Sequence, residues 1–153
     1  ESFSPLAGRM GIRRPGRDID LVDDTYNANP ASMAAAIETL ADMRGGRRTL
    51  AVLGDMLELG EQSAVLHRNV GRIAGDAHID RLYLTGAFAT AVAEGAREHQ
   101  MAAEDICRGT KPAIIDRLIR ELRPGDLILV KGSRGMAMEE VVEAIVRWAE
   151  GGQ

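Results

Sequence analysis

Residues 23–33 of this chain read Asp23-Asp24-Thr25-Tyr26-Asn27-Ala28-Asn29-Pro30-Ala31-Ser32-Met33. Residues 19–22, which are apolar except for Asp20, precede this stretch and predict a short strand. Pro30 suits the first position of a helix, because its missing N–H would have had no partner there. Asn29 is then the N-cap, whose side-chain oxygen accepts from the first helical turn. The stretch therefore predicts a strand, a polar loop and the start of a helix.

Such a junction favours a negatively charged ligand. At a helix N-terminus the unpaired N–H groups and the helix dipole face the same point. Asp24 ends the predicted strand and is placed to bind hydroxyl groups such as those of a ribose. The alternative is ordinary turn and cap chemistry, since Asx residues and proline often lie between a strand and a helix. The residues alone leave both interpretations open.

The rest of the chain alternates strands and helices. The pattern predicts strands at residues 19–23, 49–53, 82–85, 106–107 and 127–130, and helices at 30–43, after 60, after 86, at 111–122 and at the C-terminal end. Helices of this length between strands indicate βαβ units. The predicted fold class is α/β, a three-layer, Rossmann-like and mostly parallel sheet with helices on both faces. We expect a hinge segment at residues 1–17 and one domain at 18–153.

Right-handed crossovers place the carboxyl ends of all parallel strands at one edge of the sheet, where ligands bind in open α/β folds. We call this edge the rim; it comprises residues 24–29, 54–60, 85–88 and 131–134. Asp55 follows a continuous apolar strand, and Lys131 follows another. A lysine at the end of an apolar strand is costly to bury unpaired, so Lys131 predicts a bound anion. Helix capping and solvated charge are the alternative explanations.

Composition excludes several classes of function. The net charge is −4 with both signs interspersed, and aromatic residues make up 3% of the chain, so we expect no nucleic-acid partner. The single cysteine, Cys107, excludes an internal disulfide and fits a reducing, cytoplasmic location. No apolar run approaches the ~18 residues that span a bilayer, and no basic, apolar leader is visible. We therefore expect neither a membrane partner nor a signal peptide.

Missing motifs restrict the chemistry further. The sequence has no G-x-x-x-x-G-K-S/T phosphate loop and no G-x-G-x-x-G after the first strand. Its single cysteine and its scattered histidines His67, His78 and His99 form no zinc-binding set. We expect no metal ligands and no catalytic residue within this chain.

Four stretches together resemble the C-terminal domain of the Mur ligases. The string D-D-T-Y-N-A-N-P-x-S-M at residues 23–33 carries most of the resemblance, through Tyr26, Asn27 and Asn29. L-A-G-R-M at 6–10, G-D-M-x-E-L-G at 54–60 and V-K-G-S-R at 130–134 follow the same pattern. Within the family, the chain is most similar to the branch that adds D-alanyl-D-alanine to UDP-N-acetylmuramoyl-tripeptide in peptidoglycan precursor synthesis.

The resemblance implies an ATP-dependent ligase. Such enzymes use ATP and Mg²⁺ to convert a carboxylate into an acyl phosphate, which the amine then attacks. A central domain, absent from this chain, carries the phosphate loop and most of the metal ligands. The C-terminal domain closes over ATP and brings the dipeptide, and closure excludes water. The resemblance thus implies ATP, D-alanyl-D-alanine and UDP-N-acetylmuramoyl-tripeptide as partners, the last through the other domains.

The resemblance also implies residue roles. Residues expected to face the nucleotide are Arg9, Asp24, Tyr26, Asn27 and Asn29. Residues expected to face the amine substrate are Asp55, His67, Lys131, Ser133 and Arg134. His67 lies near the edge of a buried helix face, and a structural role is the preferred interpretation for it.

Two other functions fit the same pattern. A related ligase such as a folylpolyglutamate synthetase shares the fold but lacks the Tyr-Asn-Ala-Asn-Pro string. A non-catalytic, Rossmann-like nucleotide-binding or interaction module is the alternative from outside the ligases.

Overall fold

A computed structural model of the chain describes residues 11–151. The strands are β1 (Gly11–Arg13), β2 (Asp20–Asp24), β3 (Thr49–Leu53), β4 (Arg81–Leu84), β5 (Ile106–Arg108) and β6 (Leu127–Lys131). The helices are α1 (Pro30–Asp42), α2 (Ser63–Asp76), α3 (Ala89–Glu98), α4 (Lys111–Glu121) and α5 (Glu139–Ala149). Short 3₁₀ turns lie at Gly60–Gln62, Ala103–Asp105 and Arg134–Met136. Arg9 lies outside the described residues.

The strands form one six-stranded sheet in the order β1-β2-β6-β3-β4-β5. Strands β2 to β6 are parallel to their neighbours, and only β1 at the edge runs antiparallel, against β2. The predicted α/β class with a mostly parallel sheet is confirmed. β1 lies within residues 1–17, where the sequence predicted a hinge segment, and it contributes the edge strand of this sheet.

Helices cover both faces of the sheet. One apolar cluster joins α1, α2 and α3 to alternate strand residues such as Ala51 and Leu53. The other joins α4 and α5 to the intervening residues, such as Leu50 and Val52. Because successive side chains of a strand point to opposite faces, a strand covered on both sides must be apolar throughout. β3 and β6 are buried at every position, as their continuous apolar runs predicted.

The buried helix faces were predicted unequally well. In α1 the spacing of apolar residues predicts a buried face of Met33, Ala36, Ile37 and Leu40, and these are the buried residues. In α4 the spacing predicts Ile115, Leu118, Ile119 and Leu122. Leu118 and Leu122 are buried, but Ile115 and Ile119 are only partly so, and Ile114 is buried instead. Four apolar residues at 114, 115, 118 and 119 cover two adjacent helix faces, so the pattern does not decide which face turns inward.

Helices α2 and α3 pack closely through glycine. A Cβ atom added at Gly95 would lie 1.9 Å from the carbonyl oxygen of Arg68, and one added at Gly71 would lie 1.9 Å from that of Val92. Both neighbours are backbone atoms of the opposite helix, which side-chain rotation cannot move away. The two helices therefore tolerate no side chain at these points.

We expect Gly95→Ala to destabilise the chain by about 1–3 kcal/mol, because the added methyl forces the helices apart. Helix propensity alone predicts the opposite sign, a gain of about 1 kcal/mol. Gly109→Ala is the matched control, since its Cβ would lie 3.4 Å from the nearest atom, an ordinary contact. Urea unfolding of the three proteins measures the difference, and a stabilised Gly95→Ala would contradict the packing described here.

Candidate functional site

Strand pairing places the polar residues of the rim side by side. In the parallel β2–β6 pair Asp24 is the register partner of Lys131, and in the β3–β6 pair Leu53 is. The loops after β2, β3 and β6 therefore leave the sheet at adjacent points. β6 lies between β2 and β3. The loop after β6 therefore contacts both the loop after β2 and the loop after β3.

The ammonium of Lys131 is buried at the centre of the rim. Its Nζ donates to Asp24 Oδ2 at 2.9 Å and to the carbonyl oxygen of Asn27 at 2.9 Å. The lysine side chain is 2% exposed and that of Asp24 is 12% exposed. The predicted anion partner of this lysine is therefore Asp24 of the same chain. The pair also joins two residues that the sequence interpretation assigned to different ligands.

The start of α1 has the predicted N-cap. Asn29 Oδ1 accepts from the backbone N–H of Ser32 at 2.8 Å, and Ser32 Oγ accepts from the backbone N–H of Asn29 at 3.0 Å. This reciprocal arrangement is a capping box, with Pro30 at the first helical position. The side-chain oxygen of Asn29 therefore serves the helix, and only its amide group remains for a ligand.

Ser133 connects the three central loops of the rim. Its Oγ accepts from the backbone N–H of Leu57 at 2.8 Å and lies 3.4 Å from the carbonyl oxygen of Ala28. Its own backbone N–H donates to the carbonyl oxygen of Asp55 at 2.9 Å. With 5% of its surface exposed, Ser133 acts on the loops rather than on a ligand in solution.

Asp55 fixes the loop between β4 and α3. Its two carboxylate oxygens accept from the backbone N–H groups of Ala87 and Phe88, at 2.8 and 3.1 Å. Gly86 permits this approach, because a Cβ there would lie 2.4 Å from Asp55 Oδ1 and the residue has a φ of +115°. The resemblance implied that Asp55 faces the amine substrate; in the structure both of its oxygens accept from backbone N–H groups.

His67 is a buried, structural histidine. Its Nε2 accepts from the backbone N–H of Met56 at 3.0 Å, and its Nδ1 lies 2.7 Å from the carbonyl oxygen of Ser63. An acceptor at Nε2 and a donor at Nδ1 define the neutral ring. The ring stacks on Phe88 at 4.6 Å and is 1% exposed. His67 therefore holds the loop after β3 in place.

Other residues of the rim face solvent, and among them we call the following five the exposed rim surface: Tyr26, Asn27, Asn29, Leu57 and Arg134. The guanidinium of Arg134 lies 5.2 Å from the centre of the Tyr26 ring, in cation–π geometry. Leu57 is 42% exposed and Tyr26 is 37% exposed. Leu57 was not among the predicted site residues, because it occupies the unspecified position of G-D-M-x-E-L-G and carries no polar group.

The opposite edge of the sheet carries polar groups that serve the fold. Arg48 binds Asp126 through two hydrogen bonds, of 3.0 and 2.7 Å. The hydroxyl of Tyr83 donates to Glu121 at 2.5 Å. Burial, together with this hydrogen bond, raises the pKa of Tyr83 well above its ordinary value. Burial alone would raise the pKa of Glu121 too, but hydrogen bonds from Tyr83 and Arg117 outweigh it and lower that pKa.

Residues 11–151 contain neither a candidate metal site nor a candidate membrane span. No group of three or more histidine, cysteine, aspartate or glutamate side chains in this range could hold a metal ion. No helix in the same range is both long and apolar enough to cross a membrane.

Comparison with known proteins identifies a family. Residues 8–134 match the profile of the Mur ligase, glutamate ligase domain. The UDP-N-acetylmuramoyl-tripeptide–D-alanyl-D-alanine ligase of Escherichia coli is 44% identical over 82% of this chain, and that of Bacillus subtilis is 34% identical over 90%. The chain spans only 26% and 30% of the lengths of these two relatives, respectively.

Solved structures agree with this assignment. A MurF ligase from Thermotoga maritima in complex with ADP superposes with a TM-score of 0.77 at 29% identity, covering 99% of this chain and 33% of its own. A bifunctional folylpolyglutamate synthase/dihydrofolate synthase from Yersinia pestis has a TM-score of 0.61 at 17% identity, covering 90% of this chain and 31% of its own. At that identity, the second likeness concerns the fold alone.

We expect Lys131→Met to destabilise the chain by about 3–5 kcal/mol, because it leaves the buried carboxylate of Asp24 without a partner. Chemical denaturation measures this loss. Arg120→Met is the control: its ion pair with Asp116 is exposed, with side chains 68% and 75% accessible, and should contribute at most about 1 kcal/mol. The double variant Lys131→Met/Asp24→Asn should recover part of the loss. A cost for Lys131→Met as small as that of the control would contradict the buried pair.

Proposed function

Because the chain belongs to the Mur ligase family, we propose that it is the C-terminal domain of an ATP-dependent ligase that joins D-alanyl-D-alanine to UDP-N-acetylmuramoyl-tripeptide. The relatives named above with that activity support this assignment at 34% and 44% identity. The observation that carries it in the structure is the exposed Tyr26–Arg134 pair, held on a rim whose buried polar side chains bind the loops of the rim. The product would be the complete peptide precursor of peptidoglycan.

The exposed rim surface supplies the direct contacts in this proposal. Tyr26, Asn27 and the amide group of Asn29 face the nucleotide, which agrees with the ADP bound to the Thermotoga maritima relative. Asp24 accepts from a ribose hydroxyl through the small part of its carboxylate that remains exposed. Arg9 is proposed to bind the phosphates, since a guanidinium matches phosphate oxygens in a two-pronged geometry.

Arg134 is proposed to bind the terminal carboxylate of the dipeptide. Its guanidinium is exposed and already lies over the Tyr26 ring, so little rotamer freedom is lost on binding. Holding the carboxylate end leaves the amino group of the dipeptide to point away from this domain. That amine then attacks the activated carbonyl of the tripeptide, which ATP has converted to an acyl phosphate, and inorganic phosphate leaves.

The buried rim residues act indirectly. Asp55, His67, Lys131 and Ser133 bind backbone groups of the loops at distances of 2.8–3.1 Å. Pre-organised loops keep the contacting groups in place before the ligand arrives, which reduces the entropy lost on binding. We therefore assign these residues to positioning the exposed rim surface, in place of direct substrate contact.

Magnesium is proposed to lie outside this chain. The described residues offer no set of side chains that could hold a metal, so we assign it no ligand here and derive no step from it. A reaction that uses ATP and a cytosolic precursor takes place in the cytoplasm, which is the proposed location.

The amine specificity of the full-length ligase tests this function. We expect ATP turnover to depend on D-alanyl-D-alanine and not on glutamate, because the chain resembles the dipeptide-adding enzymes in residues as well as in fold. Phosphate release with each amine is the measurement. Turnover raised by glutamate would favour the folylpolyglutamate synthetases instead.

The 153-residue chain alone should be inactive, since its sequence has no phosphate loop. Tight binding of ATP by this chain would favour a non-catalytic nucleotide-binding module.

Substitution of Arg134 tests the dipeptide contact. In the full-length ligase Arg134→Ala should raise the KM for D-alanyl-D-alanine roughly 10- to 100-fold, because a charged hydrogen bond contributes about 1.5–3 kcal/mol. The KM for ATP should stay the same. Arg120→Ala, also exposed but on α4, serves as the control and should change neither constant. An unchanged KM for the dipeptide in Arg134→Ala would exclude the contact.

A further inference from the structure

Lysine is rare in this chain. The sequence contains 19 lysine and arginine residues, and only Lys111 and Lys131 are lysines. Both ammonium groups bind backbone carbonyls of segments that follow strands, Lys131 that of Asn27 after β2 and Lys111 those of Met136 and Ala137 after β6. Lys131 is used within the rim, whereas Lys111 has no part in the contacts described so far.

Lys111 holds the Arg134–Met136 turn. Its Nζ donates to the carbonyl oxygen of Met136 at 2.7 Å and to that of Ala137 at 3.1 Å. Glu140 Oε1 lies 3.2 Å from the same atom, and the lysine side chain is 20% exposed. All these partners belong to the segment between β6 and the first turn of α5. The lysine thus joins the start of α4 to the turn that carries Arg134.

The position of Lys111 is unfavourable for its own helix. It is the first residue of α4, where the helix dipole disfavours a positive charge. Ala137 is also strained, with a φ of +52° and a ψ of +47°, a left-handed conformation that a residue with a side chain rarely adopts. The contact between Lys111 and the turn offsets both the unfavourable charge at the start of α4 and the strain at Ala137, because the ammonium binds the carbonyls of the strained turn.

We propose that Lys111 is a positioning residue that sets the place of Arg134 on the exposed rim surface. Arg134 begins the turn that Lys111 binds, and the same turn is limited on its other side by Leu57, to which a Cβ at Gly135 would lie 3.0 Å. Without the ammonium, the carbonyls of Met136 and Ala137 lose their bonds to the start of α4, and the turn is held by its own backbone hydrogen bonds. The guanidinium then no longer stays over the Tyr26 ring. The consequence for catalysis rests on the proposed function of Arg134; the structural consequence does not.

The structural step is tested in the 153-residue chain by NMR. Lys111→Met should shift the ring protons of Tyr26 and the Nε–H of Arg134, groups other than the carbonyls and the carboxylate that bind the Lys111 ammonium. The sequence has only two tyrosines, so the ring signals are readily assigned. Glu140→Gln is the matched control: it removes the ion pair, keeps both carbonyl bonds and should leave these signals unchanged. Unchanged signals in Lys111→Met would overturn the proposal. If that variant does not fold, Lys111→Ala, which also removes the donor, replaces it with the same expected outcomes.

The kinetic step is tested in the full-length ligase. Lys111→Met should raise the KM for D-alanyl-D-alanine roughly three- to tenfold and leave kcat and the KM for ATP unchanged. In the Arg134→Ala background it should have no further effect, because the residue through which it acts is gone. Additive effects of the two substitutions would overturn the proposal. If Arg134→Ala alone changes nothing, the proposed dipeptide contact fails, and the NMR signals of Tyr26 and Arg134 decide the role of Lys111.

Discussion

A buried ammonium at the carboxyl end of the central strand is the constraint on which the rim depends. Lys131 continues an apolar strand into a place with almost no water, where an unpaired charge would be very costly. Asp24 at the end of β2 and the carbonyl oxygen of Asn27 in the loop that follows supply the compensation. That loop cannot move away without exposing the charge or leaving it unpaired. The conformation of the segment that carries Tyr26 is therefore coupled to the packing of the sheet.

The same principle extends across the rim. Asp55 satisfies the first N–H groups of the loop before α3, His67 accepts from the loop after β3, and Ser133 joins that loop to the other two. Each of these polar side chains forms a hydrogen bond with a backbone group that would otherwise need a water molecule as its partner. The loops consequently behave as one body, which leaves few groups to contact a ligand. Such rigidity favours the proposed function, since binding of a nucleotide and an amine would then require little ordering.

The sequence predicted the parts of this arrangement that are local. The N-cap at Asn29 and the buried face of α1 depend on residues three or four positions apart, and both were correct. The polar residues after each strand could be identified for the same reason, because they directly follow the apolar residues of that strand. The prediction for α4 was correct for Leu118 and Leu122 and wrong for Ile115 and Ile119, because its apolar residues span two faces and the neighbouring β4 and α5 decide between them. Leu57 was missed, since an apolar residue in a loop gives no signal of exposure.

The sequence by itself therefore determined the fold class, the family and the set of polar residues at the rim, because strand and helix periodicity and short motifs are written in consecutive residues. Only the tertiary structure decided which of these residues face solvent. Lys131 and Asp24 are 107 positions apart, and Ser133 and Ala28 are 105 apart. Whether a charged side chain is satisfied within the protein or remains available to a ligand depends on such distant partners. Burial and hydrogen bonding are properties of the assembled sheet, and no local pattern contains them.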